Sequence, residues 1–287
     1  MKAKVYFSRE ITPEKVVALY RAVGRELPGK VAVKLHSGEQ GNQNFLGPDF
    51  WRPMIEAVHG TVVECNTAYE GERNTTEKHR RTMIKHGWSK LFDVDILDAE
   101  GPDLELPIPN GKRIQKNLVG KDIKNYDSML VLSHFKGHPM GGFGGALKQL
   151  SIGCASSAGK ANIHGAGKPE EMWTTEQNAF LESMADAAES VVKLFDGKIV
   201  YINVMKNMSV DCDCCAVAED PCMKDIGILA SLDPIAIDQA CLDLVYASDD
   251  LGRDHLVERI ESLNGVHTVE AAAELGFGSR EYELIEL

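Results

Sequence analysis

Long apolar runs are missing from this 287-residue sequence, and no stretch approaches the roughly 18 consecutive apolar residues of a membrane span. An excess of positive charge is missing too. Acidic side chains number 43 against 31 basic ones, a formal net charge of -12, whereas a phosphate backbone asks for a basic face. Neither nucleic acid nor membrane is expected as a partner. The first residues, MKAKVYFSRE, hold two lysines but no apolar region or small-residue cleavage site. No signal peptide is expected, and the chain reads as cytoplasmic. An even spread of cysteines is also absent. Of the seven, Cys212, Cys214, Cys215 and Cys222 crowd together while Cys65, Cys154 and Cys241 stand apart. That excludes a secreted disulfide framework and favours metal or redox chemistry for the clustered thiols.

What is present fits a folded enzyme-sized unit. Hydrophobic residues make up 44% and charged residues 26%, too apolar for disorder. Short β-branched runs alternate with helical patterns. Lys4–Phe7, Val31–Leu35, Thr61–Cys65 and Phe92–Leu97 read as strands, with helices at 13–26, 50–58 and 75–86. Thr12-Pro13 gives the first helix an N-cap and a first position. Ser128–Ser133, Lys198–Met205 and Ile226–Ala230 read as later strands, and Tyr282–Ile285 as a last one. Thr174 with Gln177 fits a capping box for a helix at 175–195. This succession predicts an α/β fold, a mainly parallel sheet with helices on both faces. We read 1–287 as one α/β unit. Prolines 102, 107 and 109 with Gly111 make 101–122 a β-excursion or a boundary between two lobes.

Polar clusters follow four of the predicted strands directly. The first holds Lys34, His36, Gly38, Glu39 and Asn42, and the second Tyr69, Arg73 and Asn74. The third holds His134, Lys136, His138, Gly141–Gly145 and then Lys148; the fourth holds Asn207 and Asp211–Cys214. Ligands of open parallel sheets bind outside the carboxyl ends of strands, so these clusters are expected to share one cleft. Thiolates are soft donors, and Cys212, Cys214 and Cys222 are the candidate metal ligands. Their spacing matches neither a zinc finger nor a bacterial ferredoxin run, and free or redox thiols on a loop remain the alternative. His134 and His138 are candidate ligands or acid–base groups. Pro139 and the glycines put both in a loop. The amides around Gly144 and Gly145, ahead of a helix, are expected to receive an anion, unless those glycines serve tight packing. Lys34, His36, Arg73, Lys136 and Lys148 would supply its remaining contacts.

These blocks carry a resemblance. They include Lys34–Asn42, His134-Phe135-Lys136-Gly137-His138, Gly144-Gly145-Ala146-Leu147-Lys148 and Gly153-Cys154-Ala155-Ser156. Asp211-Cys212-Asp213-Cys214 and Asp225–Ala240 complete them. The chain resembles the uncharacterised iron–sulfur-centre proteins, the domain of unknown function numbered 362. The resemblance implies a metal ion or iron–sulfur cluster. The ferredoxin-like insertion that many such proteins carry after Gly-Cys-Ala-Ser is missing, because Ser157–Trp173 contains no cysteine. The expectation is a redox-type enzyme acting on a small anionic substrate, with Cys212 and Cys214 on the metal and His134, Lys136 and His138 in catalysis. A non-catalytic metal or cluster carrier is the alternative.

Overall fold

The computed structural model describes residues 2–287. Its strands are β1 (Ala3–Ser8), β2 (Val31–Lys34), β3 (Thr61–Glu64), β4 (Val94–Ile96), β5 (Leu104–Pro107) and β6 (Lys116–Val119). They continue with β7 (Ser128–His134), β8 (Lys136–His138), β9 (Gly142–Gly144), β10 (Ile199–Met205), β11 (Gly227–Ser231) and β12 (Tyr282–Glu286). Eight form the central sheet in the spatial order β12-β1-β11-β10-β7-β2-β3-β4. β4, β3, β2, β7 and β10 are mutually parallel, and β11 alone is reversed, antiparallel to both β10 and β1. The fold is the expected α/β arrangement.

The apolar runs make sense once both faces are covered. In β7, Met129 and Val131 enter one core while Leu130 and Leu132 enter the other, as alternation along a strand requires. Helices Pro13–Val23 and Pro48–Ala57 cover the second face with Val16, Leu19, Trp51 and Met54. Helices Gln177–Phe195 and Pro234–Ala247 cover the first with Ala185, Val191, Ile237 and Leu242. Thr12 caps its helix through Lys15 N as the sequence predicts, and Gly24 ends it in the left-handed conformation.

Two local expectations are revised, and of the two alternatives for 101–122 the β-excursion is the one formed. Thr174 is not the cap of the long helix. The hydroxyls of Thr174 and Thr175 turn back to the Glu171 carbonyl, and the Glu176 carboxylate accepts from Asn178 N and Ala179 N instead. Residues 104–119 form an antiparallel pair, β5 with β6, whose Leu106 and Val119 reach the core. The segment with two histidines is a ribbon rather than a loop, β8 pairing with β9. A side chain on Gly137 would collide with the Val210 carbonyl, so glycine there lets the ribbon press against the segment that carries the cysteines.

Candidate active site

Lys34, Glu64 and His134 end β2, β3 and β7, and the cysteine loop leaves β10. These strands are parallel neighbours, so their carboxyl ends open on one side. A cavity of about 340 Å³ lies there. Of the twelve candidate residues named from the sequence, eleven line it: Lys34, His36, Arg73, His134, Lys136, His138, Gly144, Gly145, Lys148, Cys212 and Cys214. Cys222 does not. Its thiol donates to the Met208 carbonyl at 3.3 Å, away from the other sulfurs.

Extended chain puts alternate side chains on one face, and His134, Lys136 and His138 follow that period into the cavity. The cysteine loop is tied down by the segment after β2. Asn42 Nδ2 donates to the Cys212 and Cys215 carbonyls at 3.3 and 2.9 Å, and Glu39 N donates to the Asp213 carbonyl at 2.7 Å. Asn42 thus positions sulfur rather than facing the cavity.

Three of the cations expected to hold an anion are already paired. Lys34 Nζ lies 3.1 Å from Glu64 Oε2 and also donates to Gln149 Oε1 and the Leu35 carbonyl. Arg73 Nε lies 3.1 Å from Glu39 Oε2. Lys136 Nζ lies 2.8 Å from Asp213 Oδ2. Burial alone would raise the carboxyl of Asp213, but His134 and Lys136 hold it well below the usual carboxylate range. Burial also opposes ionisation of Glu64, and Lys34 leads the neighbouring groups that overcome it. The Lys148 ammonium makes no hydrogen bond or ion pair among the described residues and lines the cavity.

The histidines divide by what their nitrogens face. Both nitrogens of His134 are engaged, Nδ1 with Asp213 at 2.9 Å and Nε2 donating to the Lys206 carbonyl at 2.5 Å. No lone pair is left for a metal. His138 Nδ1 accepts from Met140 N at 3.1 Å and Gly141 N at 2.9 Å, which fixes its proton on Nε2, 3.8 Å from Cys214 Sγ. Burial pushes His138 down to about 4, keeping it neutral, and burial likewise lowers His36.

His138, Cys212 and Cys214 offer three donor atoms within 4.8 Å of one another. Ligands on one tetrahedral ion with metal–sulfur bonds of about 2.3 Å sit about 3.8 Å apart, so the group could hold a single ion. An iron–sulfur cluster takes four protein ligands, thiolates or in some clusters two thiolates and two imidazoles, and the three donors of this group fall short of it. Burial raises the Cys212 thiol to about 11, and a bound metal would displace that proton. Ligation through His138 Nε2 also requires its proton to leave, at the expense of the amide bonds to Nδ1, about 1 kcal/mol each. Zinc binding in zinc-finger sites, which supply four ligands, amounts to about 10–16 kcal/mol, several times the cost of giving up those two amide bonds.

The glycine-rich turn differs from expectation. The amides of Ala146 and Leu147 already hold an anion, the carboxylate of Asp238, at 2.7 and 2.9 Å. A side chain on Gly145 would strike that carboxylate. Among the cavity residues that escaped the sequence reading are Glu64, Gln149, Lys160 and His164. Lys160 and His164 stand four apart on helix Ser157–His164, hence on one face, the one signal that could have paired them.

The fold and its site therefore define an α/β protein with a thiol–imidazole group in a cavity at the carboxyl ends of parallel strands. The chain belongs to the family of the domain of unknown function DUF362, whose model matches residues 31–243. No curated protein matches the sequence. Among solved structures, the lactate racemase apoprotein from Thermoanaerobacterium thermosaccharolyticum is 14% identical with a TM-score of 0.44, over 69% of this chain and 50% of that one. A protein from Thermotoga maritima, solved by a structural genomics consortium, is 12% identical with a TM-score of 0.46, over 92% and 59%. This chain thus covers between one half and three fifths of the length of those two. No helix among the described residues is long and apolar enough to cross a membrane.

Proposed function

We propose that this protein is a metal-dependent enzyme acting on a small anionic substrate. Cys212, Cys214 and His138 would hold one soft divalent ion, which when bound would supply Lewis-acid polarisation of a substrate oxygen. Lys148 would receive the substrate's negative charge. The observation that carries this reading is the meeting of three donor atoms with the unbonded Lys148 ammonium inside a walled cavity. Such an enclosure favours an enzyme over a carrier, which has no use for a substrate-sized chamber.

The paired charges support the same reading by elimination. Glu39, Glu64 and Asp213 are matched by Arg73, Lys34 and Lys136, so these groups shape the walls, and Lys148, with Lys160 bonded only to the Ala155 carbonyl, is left to attract an anion. Electron transfer, expected from the clustered thiols, calls on nothing else in the cavity and is not part of this reading.

The test is metal content and anion binding together. Protein purified without oxygen is loaded with cobalt(II), and its thiolate charge-transfer absorption is recorded before and after inorganic phosphate is added. A cobalt–thiolate band that Cys212→Ser removes, and phosphate binding that Lys148→Met weakens at least tenfold, are the expected results. A wild-type protein that takes up no metal, or binds phosphate equally well without Lys148, sinks the proposal.

A further inference from the structure

We propose that His164 is the proton-accepting group of this cavity. Among the four histidines that line it, His36, His134, His138 and His164, hydrogen bonding leaves a free imidazole lone pair on His164 alone. The inference rests on the proposed anion site for its substrate, but the lone pair itself follows from geometry.

A backbone amide can only donate, and a carbonyl can only accept. His36 Nδ1 accepts from Gly38 N at 3.1 Å, and His138 Nδ1 accepts from Met140 N and Gly141 N. Both therefore carry their proton on Nε2 and present an N–H to the cavity. His134 is engaged at both nitrogens. His164 is wired the opposite way. Its Nδ1 lies 2.7 Å from the Lys160 carbonyl and must donate, so Nε2 carries the lone pair. No partner occupies Nε2 among the described residues. The ring is held in place by stacking on Phe180, 4.7 Å between centroids and 17° between planes.

The surroundings suit a base. Lys148 comes from the neighbouring turn and Lys160 from His164's own helix, and burial, with help from these two ammonium groups, keeps the imidazole at about 4. It is neutral wherever the protein is folded near pH 7. Lys160 Nζ uses one of its three protons on the Ala155 carbonyl, so this end of the cavity offers cationic donors and a single acceptor. For a substrate whose oxyanion rests on Lys148, His164 Nε2 would take a proton from the adjoining atom. One substrate X–H bond breaks, one N–H bond forms, and the electron pair stays on the substrate against the ammonium of Lys148. Return of that proton closes the step with no oxidant or reductant.

Carbethoxylation tests this, since diethyl pyrocarbonate attacks an unprotonated, unengaged imidazole nitrogen. The full-length protein is labelled and each histidine is followed by mass spectrometry, with exposed His255 as the reference. His164 is expected to react at nearly the same rate at pH 8 and pH 6, whereas an ordinary histidine slows about fourfold over that range. Inorganic phosphate is expected to slow labelling at His164 and not at His255, and Lys148→Met is expected to abolish that protection. Preferential labelling of His36 or His138, with His164 unreactive, overturns the inference even if phosphate still binds by calorimetry. Labelling of His164 that phosphate leaves unchanged supports the lone pair and overturns the anion site instead.

Discussion

Asp238 and Ala146 meet as carboxylate and helix-start amide, 2.7 Å apart. The same carboxylate takes Leu147 N at 2.9 Å and Asn203 Nδ2 at 2.7 Å. The amides after the glycine-rich turn are thus filled by the protein's own anion, contributed by helix Pro234–Ala247. Asp238→Ala strands three buried donors and is expected to destabilise the protein by about 1–3 kcal/mol at neutral pH. The pH dependence has a definite sign. Burial raises Asp238 from 3.8 to about 6, so its contribution is complete below pH 3.8 and declines as pH rises through 6. Denaturant melts of both proteins should therefore show a gap that widens by up to about 3 kcal/mol between pH 7 and pH 4. A gap that narrows on acidification contradicts the assignment.

Asp213 behaves in the opposite sense. Its carboxylate is the shared counter-charge of His134 and Lys136, and removing it leaves buried positive charge unmatched. Asp213→Asn is expected to cost about 3–5 kcal/mol, measured as a loss of thermal stability. Because its folded pKa is lowered from 3.8, its contribution holds above that value and is lost only as pH falls further. From pH 5 to 8 the difference between wild type and variant should stay flat with respect to this group.

The cysteines should separate cleanly by substitution. Cys212→Ser or Cys214→Ser is expected to lower bound zinc by more than tenfold, read by mass spectrometry of the metal. Cys222→Ser is expected to leave the stoichiometry unchanged, since that thiol faces the Met208 carbonyl. Equal losses from all three would show that the sulfurs act together after all.

Trp173 provides a reporter. It lines the cavity and is 63% exposed, while Trp51 and Trp88 are buried in the core at 2% and 0%. A ligand that fills the cavity is expected to shift the tryptophan emission maximum. Trp173→Phe should remove that shift and leave the protein's fold unaltered by circular dichroism.

Much of this architecture could be read in advance, for identifiable reasons. Strands such as Ser128–His134 are buried on both faces, so they announce themselves as unbroken apolar runs. Polar residues directly after them declare the ligand-binding end of the sheet. What escaped was pairing. Nothing in one sequence tells that Lys34 belongs to Glu64, 30 positions on, or Lys136 to Asp213, 77 on, because the contacts are made across strands. Lys160 and His164 lay hidden because helix Ser157–His164 carries a weak amphipathic pattern and no motif. The glycine turn misled because its occupant, Asp238, comes from 92 residues away.

The ion pairs that line the cavity also bear on how its selectivity can change. Since Lys34, Arg73 and Lys136 are each locked to a carboxylate, exchanging any of them disturbs the framework. Lys148 answers to no such partner, so replacing this one side chain could retune the chamber from acids toward neutral or cationic guests.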